Sequence, residues 1–243
     1  AVSEAFAKIH RDVGLTNVIA VPNGSSDLQP LPRVPSPDGK VRLGFIGGLA
    51  RHKGCHLIQH ALMRGDFKNL RFLLIDHTMP IGTRRRGTLG TTELDIRPKV
   101  SQSRVPELYA ELDVLVAPSV WPEAYGLVTR EALMCGCWVL SSDRGAVGED
   151  VVDGLNGFKV DVSSEEGILK ALQEIDRNPE RYLKSPEAPT RLRHASDQAE
   201  ELIGIYREVL GLEAERDPND PELQMKAVPE PASQIPGAEA ARI

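Results

Sequence analysis

The chain has 243 residues, 41% hydrophobic and 26% charged, with a formal net charge of −6, which suits a globular chain of one large domain or one and a half. The negative balance excludes a nucleic-acid partner held by general electrostatics, though not a nucleotide held at a local positive site. No run approaches the roughly 18 apolar residues of a membrane span, no basic segment of a signal peptide precedes Ala1, and Cys55, Cys135 and Cys137 lack metal-type spacing and read as reduced core residues of a cytosolic protein.

In chain order, residues 3–13 have helical periodicity (Ala5, Phe6, Ile9, Val13) and stop at Gly14. Asn17 to Val21 reads as a short strand ended by the turn signal Pro22-Asn23-Gly24. Residues 25–39 are rich in Pro, Ser and Asp and read as a linker. Val41 to Ile46 is a buried-strand pattern followed by Gly47-Gly48, and a helix is expected from about Gly54 to Met63. Arg71 to Ile75 is a second strand. Residues 78–92, with Arg84, Arg85 and Arg86, are basic and rich in Gly and Thr, and read as a loop. Leu94 to Val100 reads as a third strand, Val105 to Leu112 as a short helix, and Val114 to Ala117 as a fourth strand. A helix over Leu127 to Cys135, a strand over Trp138 to Ser141 and a sixth strand over Gly157 to Val160 follow. Helices are expected over Glu165 to Asp176 and Ser196 to Leu210, and residues 213–243, with five prolines and several acids, read as a poorly packed tail, partly helical.

Strands alternating with helices imply an α/β fold, a Rossmann-like parallel sheet with helices on both faces. Such sheets bind ligands beyond the carboxyl ends of their strands. Two stretches fall there. In Gly47-Gly48-Leu49-Ala50-Arg51-His52-Lys53-Gly54 the glycines allow close backbone approach, while Arg51 and Lys53 bring cations to a helix start. A phosphate fits this set, but the run is neither a Walker loop nor a Gly-x-Gly-x-x-Gly fingerprint, and a solvated basic turn remains the alternative. The second stretch holds Glu123 and Glu131, with seven residues between them and a glycine turn at Gly126 before the expected helix. Glu131 lies between Val128 and Ala132-Leu133, so it is expected to be partly buried and to need a partner such as a ribose diol. The other reading is of two ordinary surface glutamates.

Together these residues carry a resemblance. From about Val18 to Leu210 the chain resembles the C-terminal half of a GT-B glycosyltransferase, close to the retaining family 4 (group 1) enzymes. The resemblance rests on Phe45-Ile46-Gly47-Gly48-Leu49 with His52-Lys53-Gly54, on Ala117-Pro118-Ser119, on Pro122-Glu123 through Glu131-Ala132-Leu133, and on Asn156-Gly157-Phe158. It implies that residues 1–24 end a preceding N-terminal domain, 25–39 link, 40–212 form the nucleotide-sugar-binding domain, and 213–243 are the tail. It implies transfer of a sugar with retention from a UDP- or GDP-sugar, without an essential metal or other cofactor. Lys53 would stabilise the leaving diphosphate and Glu123 would contact the transferred sugar. Glu131 would bind the ribose. Gly47, Gly48, Arg51 and the backbone at Tyr125, Gly126 and Leu127 would meet the diphosphate and sugar.

A glycan or lipid-linked acceptor would bind through an N-terminal domain for which this chain has no room, so the chain alone is expected to bind donor weakly and transfer little. A cytoplasmic setting is expected, with Arg84–Arg86 either a solvated loop or a contact to an anionic acceptor or to lipid headgroups at the inner membrane face. The chain departs from the resembled pattern at Gly48, where Arg is common, at Gly145-Ala146, and at Tyr125, where Phe is common. Those departures keep open a non-catalytic binding module, and a sugar-nucleotide epimerase on the same fold is the third alternative. The loops near 76–82 and 97–103 carry no decisive side chain for a base.

Overall fold

The computed structural model describes residues 1–24, 28–186 and 193–212. The chain divides into two units, Ala1–Leu202 and Ile203–Ile243. Of the second unit the described part is 203–212, helical through Val209; the expected tail at 213–243 lies outside the described residues. Everything below concerns the first unit.

Helix α1 (Glu4–Asp12) is followed by β1 (Val41–Phe45), α2 (Cys55–Arg64), β2 (Leu70–Asp76), β3 (Arg85–Leu89) and β4 (Thr92–Pro98). Then come α3 (Val105–Ala110), β5 (Val114–Ala117), α4 (Leu127–Met134), β6 (Trp138–Ser142), β7 (Gly157–Val160), α5 (Glu166–Arg177), the single turn α6 (Pro179–Tyr182) and α7 (Ala195–Val209). The strands form one seven-stranded sheet in the order β3-β4-β2-β1-β5-β6-β7. All neighbours pair parallel except β3 with β4.

The alternation of side chains along a strand divides the core into two layers. On one face Val41, Leu43 and Phe45 of β1 and Leu70, Phe72 and Leu74 of β2 pack with Ile58 and Leu62 of α2 and Ile168 and Leu172 of α5. On the other face Leu73, Ile75, Leu115 and Val139 pack with Tyr109 of α3 and Leu133 of α4. Helices on both faces and a Rossmann-like sheet are therefore as the sequence predicts. Cys55, Cys135 and Cys137 are buried and unpaired. Burial pushes the Cys55 thiol up to about 11 and the other two up to about 12, so all three stay protonated and act as small apolar residues.

Two expectations need correction. The loop predicted over 78–92 contains a strand: β3 pairs antiparallel with β4, joined by the two-residue turn Gly90-Thr91. Its residues are nearly all exposed, so it carries no period-two apolar signal, and the pairing register alone makes it a strand. Arg85 and Arg86 belong to that edge strand, and Arg84 pairs with Asp95 at 2.7 Å. The strand predicted over Asn17 to Val21 does not form. Ile19 accepts from the Ala1 amine and Val21 donates to the Ala1 carbonyl, and one partner residue is too little for a ladder.

The described part of the predicted linker, 28–39, has no regular element but is tied to the molecule near the amino ends of β5 and β6. Val34 N–H donates to Ala110 O at 2.8 Å, and the Arg33 guanidinium donates to Tyr182 O and to Gly136 O. Arg33 also meets Asp113 at 3.4 Å. Asp113, fully buried, accepts from the Arg42 amide at 2.8 Å and from its guanidinium at 2.8 and 2.9 Å. A carboxylate with no access to water needs this number of donors.

Candidate functional site

The parallel strands β1, β2 and β5 end side by side, and the segments leaving them enclose a pocket of about 250 Å³. Its polar lining comes from Gly47 and Lys53 after β1, His77 after β2, and Ser119 and Glu123 after β5, while Leu127 and Val128 bring the first turn of α4 to the same wall. The first N–H groups of a helix have no intrahelical acceptor, so that wall offers donors to an anion.

Lys53 is placed by a tight turn. Residues Arg51–Lys53 form one 3₁₀ turn, with Lys53 N–H on Ala50 O at 2.9 Å. His52 O accepts from Val120 N–H at 2.9 Å and from the Ser119 hydroxyl at 3.1 Å, stapling the turn to the segment after β5. The contact is close because residue 54 is glycine. Its φ is +79°, and a Cβ there would stand 2.0 Å from Pro118 O.

Glu123 is placed from the opposite side. Its carbonyl accepts from Ala146 N–H at 2.8 Å, and it pairs with Gly145 as an isolated bridge. Gly145 has φ +66°, and a Cβ would come 2.5 Å from Glu123 O, so a side chain at 145 would drive the two segments apart. The neighbouring loop is held by residues 1–24. The Ser3 hydroxyl, which also accepts from Phe6 N–H to cap α1, donates to Ala124 O at 2.6 Å. The Tyr125 hydroxyl donates to Asn23 O at 2.6 Å. These restraints bring Lys53 Nζ to 2.9 Å from Glu123 Oε1, a pair part-shielded from water.

The other predicted site residues separate into two groups. Gly47 and Leu127 line the pocket with Lys53 and Glu123. The side chains of Arg51, Tyr125 and Glu131 do not reach its wall. Arg51 lies exposed on the outer side of the 3₁₀ turn. The Tyr125 ring is stacked under the Arg130 guanidinium at 3.9 Å, and Arg130, itself buried, is fixed by Glu149 at 2.7 Å and Asp150 at 2.6 Å. Gly48 and Gly126 flank the pocket as turn residues, Gly126 capping α4.

Glu131 sits one turn deeper on α4 than the pocket wall and is buried, as expected from its apolar neighbours. Its Oε2 accepts from the Tyr109 hydroxyl at 3.0 Å. Among the described residues no donor meets Oε1. Burial raises the Glu131 pKa, and the Tyr109 bond opposes that shift. Burial first, and then the nearby Glu131 charge, push the Tyr109 hydroxyl well up, so it remains a donor.

Sequence reasoning missed His77 and Ser119. Each lies within three residues of the end of a buried apolar run, Leu73-Leu74-Ile75 or Val114-Leu115-Val116, and the rule that ligands sit beyond strand carboxyl ends could have found both. Among the described residues no group of three or more His, Cys, Asp or Glu is arranged to hold a metal ion, and no helix is long and apolar enough to cross a membrane.

Residues 31–191 match the sequence profile of the family described as glycosyl transferases group 1. The chain belongs to the group 1 glycosyltransferases. Among its group 1 relatives, the D-inositol 3-phosphate glycosyltransferase of Rhodococcus erythropolis is 30% identical over 187 residues, covering 70% of this chain and 41% of that protein. The α-maltose-1-phosphate synthase of Mycobacterium tuberculosis is 30% identical over 186 residues, covering 68% of this chain and 47% of that protein. The chain thus spans less than half the length of either curated relative. The solved sucrose-phosphate synthase of Thermosynechococcus elongatus superposes with a TM-score of 0.66 at 18% identity, over 87% of this chain and 58% of that one. A glycosyltransferase of Rickettsia africae gives 0.60 at 16% identity, over 86% of this chain and 62% of that one. These structures share the fold, the Rossmann-like sheet of the GT-B glycosyltransferases.

Proposed function

We propose that this chain is the donor-binding part of a retaining glycosyltransferase, and that a nucleotide sugar occupies the pocket at the carboxyl ends of β1, β2 and β5. The observation that carries the reading is the Lys53–Glu123 pair at 2.9 Å, opposite the N-terminus of α4 in one pocket. A diphosphate entering this pocket meets an ammonium and free helix N–H groups together. The negative charge that grows on it as the glycosidic bond breaks is stabilised by donors already in place. Lys53 supplies the mobile cation. Glu123, released from Lys53 by the competing phosphate, faces the sugar. Glu131 is assigned the ribose through Oε1, which has to be uncovered for it, since the side chain lies buried behind the pocket wall. In this reading the cations and the helix end do the work that a metal does elsewhere.

The acceptor, a glycan or a lipid-linked sugar, is assigned to a domain outside this chain. Donor binding and transfer therefore separate: the chain holds the donor, and turnover waits for the opposing wall that orients the acceptor. The three protonated, unpaired thiols suit a reducing compartment such as the cytoplasm.

Calorimetry with UDP-glucose and GDP-mannose tests the reading. Saturable binding of one of them, lost in Lys53→Ala, supports it. A folded chain that binds neither rejects it and favours an interaction module on the same fold.

A further inference from the structure

The pocket has an electrostatic shortfall. Lys53 and Glu123 neutralise each other at 2.9 Å, whereas the diphosphate of a nucleotide sugar carries two negative charges. The remaining ionisable side chain on the pocket wall is His77. It follows β2 and stands across the pocket from the segment that carries Glu123. The neighbouring acid, Asp76, feels the His77 charge but makes no hydrogen bond to the ring: the Asp76 carboxylate accepts from the Thr78 amide at 2.8 Å and the Thr78 hydroxyl at 2.7 Å. From α4, Leu127 and Val128 bring no side-chain charge. Among the described residues the His77 ring has no hydrogen-bond partner.

The backbone facing it is bare. A Cβ built on Gly48 would lie 3.4 Å from His77 Nδ1. The imidazole thus lies directly against the glycine turn that follows β1, and occupies the space a longer side chain at 48 would enter.

We propose that His77 is a donor-binding residue, which in its protonated form gives the pocket the net positive charge that a diphosphate requires. This rests on the donor-pocket reading above. Protonated imidazole donates from both ring nitrogens, so it can bond a phosphate oxygen and repel no part of it. The sign of the pH effect follows. The anion binds the protonated ring preferentially, so binding and proton uptake by the ring favour each other and the affinity is greater on the acid side. Lys53 and Glu123 share the pocket wall with the ring, and Asp76 next to it is also under the charge of Arg85 from β3.

The test is calorimetric binding of UDP-glucose and GDP-mannose to the 243-residue chain at about pH 6 and about pH 8. Nucleotide sugars are the right probes because both phosphates are esterified and keep a fixed charge across this window. Wild type should bind roughly tenfold more tightly at the lower pH. His77→Gln should bind at the weaker level at both, and His77→Arg at the tighter level at both. Circular dichroism confirms that the variants are folded. A glutamine variant with wild-type affinity and wild-type pH slope overturns the assignment of His77 alone. A wild-type chain that binds neither nucleotide sugar at either pH overturns this proposal together with the donor-pocket reading.

Discussion

The Lys53 ammonium and the Glu123 carboxylate meet at 2.9 Å from segments that leave two adjacent strands, β1 and β5. Neither is deeply buried, so the pair is a poor source of fold stability. In the donor-pocket reading proposed above it is a latch, in which a phosphate displaces the carboxylate from the ammonium and leaves it turned toward the sugar.

Lys53→Met should therefore weaken nucleotide-sugar binding roughly 10- to 100-fold, the loss of one charge-assisted contact. Unfolding in urea should change by less than about 1 kcal/mol, because the pair is solvent-screened. Equal affinity in calorimetry would remove Lys53 from the donor site.

Gly145→Ala acts on the other half of the latch. The new methyl would press on Glu123 O from a residue with φ +66°, so a cost on the order of 2–4 kcal/mol is expected in urea unfolding. Whatever folds should hold Glu123 displaced and bind donor more weakly. A variant as stable as wild type would show that the Glu123 segment tolerates the shift.

Glu131 predicts a pH dependence. Its folded-state pKa is raised by burial, so above the unfolded value the native state holds its proton more tightly than the unfolded chain does. Its contribution to stability therefore falls as pH rises through the window between the two values, and is constant above it. Glu131→Gln removes that slope. It should raise the thermal midpoint by a few degrees at neutral pH, with the gain vanishing toward acid, while donor affinity falls if the ribose assignment holds. Thermal scans across pH check the first point and calorimetry the second.

Tyr125→Phe removes the hydroxyl that donates to Asn23 O at 2.6 Å and keeps the ring under Arg130. A loss of about 1 kcal/mol is expected, with faster amide hydrogen exchange in residues 1–24 and donor affinity within about twofold of wild type. Unchanged exchange there would mean that the remaining contacts, Ser3 to Ala124 O, Ala5 N–H to Glu149 and Gly24 N–H to Gln198, hold the segment without the hydroxyl.

Asp113→Ala leaves Arg42 and Arg33 facing each other without their buried carboxylate. A cost of about 3–5 kcal/mol follows from an uncompensated buried charge. Limited proteolysis should cut first within 28–39, the stretch that Arg33 ties down. Resistance to cleavage would assign that stretch's order to the Val34 backbone bond and to the Arg33 bonds to Tyr182 O and Gly136 O instead.

How far the sequence could be read depended on what each element packs against. The strands β1, β2, β5 and β6 are buried on both faces, so each appears as a short, mostly apolar run, interrupted by Arg42 in β1 and Arg71 in β2. Edge strand β3 packs on little, and Arg85-Arg86-Gly87-Thr88 looks like a loop. Asn17 to Val21 shows the reverse error: a strand-like composition with one residue to pair with. Glu123 was legible because it lies just past a buried strand, and Lys53 because a glycine turn precedes it. The depth of Glu131 was legible only in part. Its apolar neighbours announced burial, but its partner Tyr109 lies on another helix, and no local pattern reveals that contact. His77 was overlooked because one polar residue after a strand is unremarkable until the ends of three strands are seen together.

The antiparallel rim strand β3 has a bearing on solubility. A flat outermost strand offers unsatisfied amides to any similar strand and invites sheets to fuse. Here that rim carries guanidinium groups at Arg85 and Arg86, with Arg84 just before it. Two copies approaching rim to rim would bring the Arg85 and Arg86 charges face to face, which disfavours that pairing.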